Sequence, residues 1–466
     1  MPNNIICVAL LTLLMLIYGR PYAQIKDSIA TGYLPDAAEE YWPSHNDAGK
    51  RDLSSGINHI PIRNGKGFIS TGGYFREGYD LFDNYLWGRG PDDNSGYLLH
   101  RAIVHADLRY SKNLRFFGQA QSSFISGRLG GPRPVQDLNK LAFDQIFAEY
   151  SIQRGARNFI RLRAGKQALH YGAGTLLDIR ETNVRRSFVG LKFIAEFRSL
   201  KIDLFAMEPM KGNAGFFDDT PDHSQKIAGV WIRQKLGGKL CKQVDAYYIY
   251  VHRDSTHFVQ GSAADSRHTV GTALNFSNRG FAGYSEADIQ IGTFGKSSIT
   301  AWKLTQTVSY QFSKFPLKPV LFVQSALSSG DHNLQDSSLQ TFNPLYPKAL
   351  YYGYIDNVGA SNMFVLLARL ELYPFPTLKV MGEYYNFWRQ STVDGLYAPG
   401  GALLFGSNND QRKVGSMVDV VVLYTPDSHF TLRSVLCYYG RGPFLKLQGA
   451  HIKDIRYAGI MATWRI

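Results

Sequence analysis

The chain has 466 residues, with 51 Lys and Arg against 38 Asp and Glu, a formal +13, and it is rich in Tyr (28), Phe (29) and Gly (45). That length fits two or three ordinary domains or one large β architecture, and hydrophobic residues at 44% are too few for a bundle of membrane helices. Three cysteines exclude a disulfide scaffold, and the Tyr, Phe and Gly content favours strands and turns over helices.

The first element is an apolar run over 5–18, followed by GRPYAQ, in which small Ala23 offers a cleavage point before Gln24. We read 1–23 as a cleaved signal peptide, although MPNN carries no Lys or Arg. A retained anchor would need 18 or more apolar residues, and the run is shorter. Removing Arg20 leaves 50 basic against 38 acidic residues, still +12. Cys7 lies inside the apolar core, too early to carry a lipid. Cys241 and Cys437 each fall inside a strand-like run and read as buried thiols. Residues 24–66 form a periplasmic lead-in.

From 67 onward short strands recur, each bounded by turn residues. They are predicted at 67–81, 97–111, 114–127, 143–153, 158–168, 186–195, 200–208, 226–236 and 243–253, then at 267–276, 282–293, 299–313, 319–328, 363–373, 377–388, 413–424, 428–439 and 454–466. The sum is about eighteen, an even number. Tight turns at 111–113, 154–158, 314–319, 374–377 and 425–428 alternate with long connections at 81–96, 127–141, 328–362 and 389–412. Short turns at one end and long loops at the other are the rhythm of an outer-membrane barrel, and closure removes the edges that lipid does not tolerate. The fold class is therefore all-β, a transmembrane antiparallel barrel over 67–466.

The faces agree. In LHRAIVHADLRY, Ala102, Val104, Ala106, Leu108 and Tyr110 alternate with Arg101, His105, Asp107 and Arg109. WKLTQTVSYQ sets Trp302, Leu304, Val308 and Tyr310 against Lys303, Thr305, Thr307, Ser309 and Gln311. SEADIQIG sets Ala287, Ile289 and Ile291 against Glu286, Asp288 and Gln290. IRLRAGKQ sets Arg161 and Arg163 against Ile160, Leu162 and Ala164, with Lys166 breaking the pattern. DAYYIYVHR is aromatic on both faces, as a girdle or a loop-covered wall would be. The polar face is the lumen, and arginines on a low-dielectric wall focus a positive field that selects anions.

LLHRAIVHADLR at 98–109, SGRLGGPRPV at 126–135, RETNVRRSF at 180–188, GFFDDTPD at 215–222, TFNPLYP at 341–347 and FWRQSTVDGLY at 387–397 resemble the alginate export family of bacterial outer-membrane barrels. The resemblance runs from about Gly67 to the C-terminus. It implies a monomeric barrel of eighteen strands with an electropositive constriction through which an anionic polyuronate leaves the periplasm. Carried onto this sequence, it implies Arg101, Arg109, Arg128, Arg133, Arg163, Arg180, Arg185, Arg186 and Arg389 along the anion path, beside Arg161 from the alternation. Asp107, Glu149 and Glu181 are the carboxylates that orient them. A guanidinium fork grips a carboxylate with two hydrogen bonds, so such a ladder hands sugar acids from site to site. The rival role for the loop arginines is to brace the wall or pin a loop inward. One departure is the ending TWRI, where barrels of this type end in an aromatic residue.

No G-x-S-x-G, H-E-x-x-H or paired C-x-x-C is present, and GTFGKSS at 292–298 lacks the first glycine of a phosphate loop. The charge is dispersed along strands and gathers in no patch suited to nucleic acid. The expectation is a channel in the outer membrane, with no catalytic residue, metal or other cofactor, exporting an anionic polysaccharide delivered by periplasmic proteins. The alternatives are an uptake porin for small anionic solutes and, more weakly, a barrel enzyme acting on lipid.

Overall fold

The computed structural model describes residues 37–39 and 60–466, apart from 91–93, 95, 134, 154–157 and 239. The predicted signal peptide, most of the lead-in and most of the turn at 154–158 lie outside the described residues. Eighteen antiparallel strands close into a barrel. They are β1 Gly67–Asp83, β2 Tyr97–Arg109, β3 Leu114–Ser126, β4 Asn139–Gln153, β5 Asn158–Gln167, β6 Phe188–Phe197, β7 Leu200–Lys211, β8 Gln225–Lys235 and β9 Cys241–Phe258. The second half comprises β10 Gly261–Asn278, β11 Phe281–Phe294, β12 Ser297–Gln311, β13 Val320–Ser328, β14 Met363–Phe375, β15 Leu378–Arg389, β16 Lys413–Tyr424, β17 Phe430–Arg441 and β18 Ile455–Arg465. Each predicted strand has its counterpart here.

The barrel closes where β1 meets β18, in register from Tyr74 opposite Arg465 to Asp83 opposite Arg456. Trp464 packs its ring near Phe75 and Phe430 at this seam. Closure leaves no wall strand with an unpaired edge, as a sheet surrounded by lipid requires.

Alternation along each strand sends apolar side chains outward: Val104, Leu162, Leu191, Ile289 and Leu436 are all exposed. Tyr110, Tyr150, Phe375, Tyr424 and Trp464 lie toward the short-turn end, and Tyr79, Phe143, Phe217 and Tyr438 toward the other, as two aromatic girdles. The short-turn end is accordingly the periplasmic one.

The predicted rhythm of connections departs at two places. At the long-loop end, β9–β10 and β11–β12 are joined by only two residues each, 259–260 and 295–296. At the first, β9 and β10 run to 18 residues each, beyond the span a bilayer requires, so the sheet itself rises where a loop was expected; at the second, β11 and β12, of 14 and 15 residues, form a tight hairpin.

Several outer loops turn inward and fill much of the lumen. Residues 168–187 and 329–362 pair at Leu177 and Tyr346. Around them Phe205, Tyr171, Trp231 and Tyr247 form a continuous ring stack, with Trp231 and Tyr247 4.0 Å apart and 6° from parallel. This is why DAYYIYVHR is aromatic on both faces: Tyr247 lies under the loops, whereas Tyr248 faces outward. Across the barrel Trp87, Tyr352, Phe387, Met417 and Tyr439 form a second apolar mass. Lys166, which broke the alternation, has an ion partner: its ammonium lies 2.7 Å from Asp219 of the 212–224 loop, whose residues 214–217 run beside the start of β4. Cys437 is buried as expected, while Cys241 is only half-buried, and both are free thiols.

Candidate functional site: two cationic chambers and the loop between them

The 168–187 loop crosses the lumen and is anchored on several walls. Tyr171 Oη donates to Asp203 of β7 at 3.0 Å, and Thr175 Oγ1 donates to Glu286 of β11 at 2.7 Å. Asn183 Nδ2 lies within 3.3 Å of the carbonyls of His100, Phe124 and Asp137. On β1, Arg76 Nη2 donates to the Thr182 carbonyl at 2.9 Å. Gly165 and Gly190, opposite each other just below the loop, both have positive φ, and a Cβ on either would sit within 2.4 Å of a backbone oxygen in the next strand. The chain here needs glycine to approach so closely.

The stretch 180–186 divides two cavities. The inner one, about 490 Å³, is lined by Arg76, Arg101, Arg185, Lys348, Arg433 and Arg465, with Asp178 and Glu181 as its acids. The outer one, about 580 Å³, is lined by Arg180, Arg185, Arg186, Lys211 and Arg253, with Asp219 and Asp222. Arg185 lines both. In each chamber the lining Lys and Arg outnumber the carboxylates.

Glu181 organises the inner chamber. It keeps 45% of its side chain exposed and accepts from Arg76 at 3.2 Å and from Arg101, with Arg185 Nε 3.4 Å away. Arg101, 1% exposed, also donates to the Thr182 carbonyl at 2.6 Å and lies over the Tyr74 ring. Arg186 donates to the Pro347 carbonyl at 3.0 Å and lies over Tyr346, while Arg180 donates to the Val135 carbonyl. Burial lowers Arg180 to about 10 and, with Arg180 as a like charge nearby, Arg186 to about 9. Both remain cations at neutral pH.

A separate ion network lies at the short-turn end. Asp107 accepts from Arg115 at 2.7 Å and from Arg109 at 3.3 Å, and Glu149 accepts from Arg163 at 2.8 Å with Arg115 and Arg161 within 3.9 Å. Asp107 and Glu149 thus stand among the arginines they were expected to orient. Arg128 and Arg133 lie in the 127–138 loop over the rings of Tyr85 and Tyr97, and Arg133 grips Asp137 with two hydrogen bonds. They brace an outer loop and line neither chamber.

Arg389 also stands apart. Its guanidinium, 0% exposed, donates to the carbonyls of Thr392, Asp394, Asn409 and Gln411 and stacks on Phe444. The structure places it in the brace of the 390–412 loop and not along the lumen, because every N–H it has is spent on backbone.

Sequence reasoning missed Arg76, Arg115, Arg433 and Arg465. The signal was present: Arg76 alternates with Tyr74 and Gly78 on one face of β1, Arg115 with Phe117 and Gln119 on β3, and Arg433 with Val435 and Cys437 on β17. Lys348, on an irregular loop, left no such trace. Among the described residues, no cluster of His, Cys, Asp or Glu is arranged to hold a metal ion.

A family model described as alginate export matches residues 68–457. No curated protein matches the chain. Among solved structures the barrel is similar to Pseudomonas aeruginosa OpdK with vanillate, at 11% identity and TM-score 0.56 over 85% of this chain and 98% of that one. It is also similar to Acinetobacter baumannii OccAB1, at 12% identity and TM-score 0.56 over 89% and 99%. A third is P. aeruginosa OccK2 (OpdF) in complex with glucuronate, at 9% identity and TM-score 0.55 over 88% and 98%. At these identities the likeness is one of fold.

Proposed function

The chain belongs to the alginate export family of outer-membrane channels, and from that premise we propose that it conducts an anionic, carboxylate-bearing polysaccharide outward through its arginine-lined lumen. The observation that supports this most is Arg185, which lines both cationic chambers and so offers one guanidinium to a chain passing from either side. Sugar carboxylates spaced along a polymer would exchange among Arg76, Arg101 and Arg185, then Arg186 and Arg180, each a bidentate donor. Glu181 keeps that series from becoming a trap, because it competes for the same guanidiniums. In this reading the protein is a monomer without catalytic activity, exported by a signal peptide cleaved after Ala23 and fed by periplasmic polymer-delivery proteins.

A second reading is uptake of small carboxylates. It is favoured by the size of the chambers, each within the range of an ordinary small-ligand pocket.

The deciding experiment has two arms. Reversal potentials of the purified protein under a salt gradient report the sign of the permeant ion, with Arg101→Ala and Arg185→Ala as controls. Uronate polymer released by cells lacking the gene then separates export from uptake. Cation selectivity overturns both readings; anion selectivity with undiminished polymer release leaves uptake.

A further inference from the structure

The short-turn end of the lumen holds a carboxylate that neither chamber uses. Residues Ala37–Glu39 form a single 3-10 turn inside the barrel. Ala38, 3% exposed, packs on Phe117 of β3 and Phe147 of β4, and its carbonyl accepts from Arg115 Nη2 at 2.9 Å. Beside it Glu39 Oε1 lies 3.2 Å from Arg163 Nη2, on the guanidinium that also holds Glu149. Arg163 is fully buried, yet Glu39 keeps about a third of its side chain, 32%, open to the lumen. Burial works to raise the Glu39 carboxyl, and Arg163, with Lys192, Lys201 and Arg161 around it, outweighs burial and holds it well below the ordinary range. Lys192 and Lys201 have Asp203 within 3.3 and 3.9 Å, and Arg161 has Glu149 within 3.9 Å, so the surroundings are cationic but not bare.

We propose that Arg163, with Arg161 and Arg115, is a carboxylate-binding station at the periplasmic mouth, and that Glu39 is its tethered resident, displaced by a carboxylate of the incoming solute. Exchange of one carboxylate for another leaves the station balanced, so no buried charge is stranded while the solute enters. The tether gives Glu39 a high effective concentration. A lone carboxylate competes poorly against it, whereas a polymer presenting many carboxylates returns each time one is released. The station therefore favours polyanions over single anions. Only the identity of the solute rests on the channel reading above; the docking of Glu39 does not.

The test uses the full chain in planar bilayers, with oligogalacturonate added on the short-turn side as the probe and current block as the readout. Glu39→Gln is expected to lower the half-blocking concentration at least fivefold, and Glu39→Asp to leave it near the wild-type value. In an Arg163→Ala background, or Arg163→Lys if the alanine variant does not assemble, Glu39→Gln is expected to change nothing. An unchanged half-blocking concentration in Glu39→Gln, a change that survives loss of Arg163, or no block in any variant overturns the proposal.

Docking is read separately, without current. Ala38→Cys in a Cys241→Ser, Cys437→Ser background is expected to react with a maleimide at least tenfold more slowly than the same cysteine combined with Arg163→Ala. Equal rates overturn the docked turn, whereas a cation-selective wild-type pore would sink the channel reading and leave this comparison intact.

Discussion

Arg185 Nε lies 3.4 Å from the Glu181 carboxylate, four residues earlier on the same lumen-crossing loop, and this pair stands where the two chambers meet. In the proposed reading, one member attracts a passing carboxylate and the other competes with it. Removing either should therefore move selectivity in opposite directions. Glu181→Gln keeps the shape and deletes one negative charge within reach of three guanidiniums, so the anion-to-cation permeability ratio should rise about threefold. Arg185→Ala should lower it by a similar factor. Reversal potentials at two salt gradients measure both, and shifts of the same sign would refute the pairing.

Asn183 is the pin of that loop. Its amide nitrogen lies close to two wall carbonyls, those of His100 and Phe124, and to that of Asp137 in the 127–138 loop, and Ser123 Oγ donates to the Asn183 carbonyl at 2.8 Å. Asn183→Ala should leave these acceptors poorly satisfied at a cost of about 2–4 kcal/mol. The barrel wall is untouched, so the expected result is a folded barrel with noisy, stepwise conductance in single-channel records. Quiet openings at the wild-type level would show that the pin is dispensable.

Arg389→Ala separates a loop brace from a lumen residue. With four backbone carbonyls losing their donor, thermal stability should fall by several degrees and the 390–412 loop should become sensitive to protease, while ion selectivity stays at the wild-type value. A selectivity change as large as that of Arg185→Ala would return Arg389 to the conduction path.

Asp356 gives the inward-folded 329–362 loop a pH dependence. Burial raises its carboxyl to about 6, against the backbone N–H groups of Leu350 and Tyr351, which donate to it. The docked loop thus prefers the protonated acid. Below about pH 4 docked and released loops are both protonated and docking is strongest. As pH rises from about 4 to about 6 the released form ionises first, so docking weakens across that window and is constant above it. Hydrogen exchange of 349–358, corrected for intrinsic rates, should be slower at pH 5 than at pH 8, and Asp356→Asn should abolish the difference. Slower exchange at pH 8 would reverse the sign of the argument.

The wall was legible because each strand faces two different media. Ala106 between His105 and Asp107, or Ile289 between Asp288 and Gln290, shows lipid on one side and the lumen on the other. That contrast disappears above the bilayer, and 254–266, which continue β9 and β10, therefore read as a loop. Inward direction was legible as well, but not what a guanidinium meets once inside. Arg185 and Arg389 look alike in sequence, and only the positions of 390–412 reveal that Arg389 is occupied by carbonyls. Lys166 seemed an error in the alternation because its partner, Asp219, lies 53 residues away on a loop.

The lumen-crossing loop touches β1 through Arg76 and β11 through Glu286, strands far apart in the ring that never pair with each other. Bonds to strands so far apart form only as the sheet curls round the loop, so insertion into the membrane and furnishing of the interior are expected to proceed together. A substitution that keeps this loop outside would thus be felt first during biogenesis, as barrels left unsealed, before any effect on transport was measured.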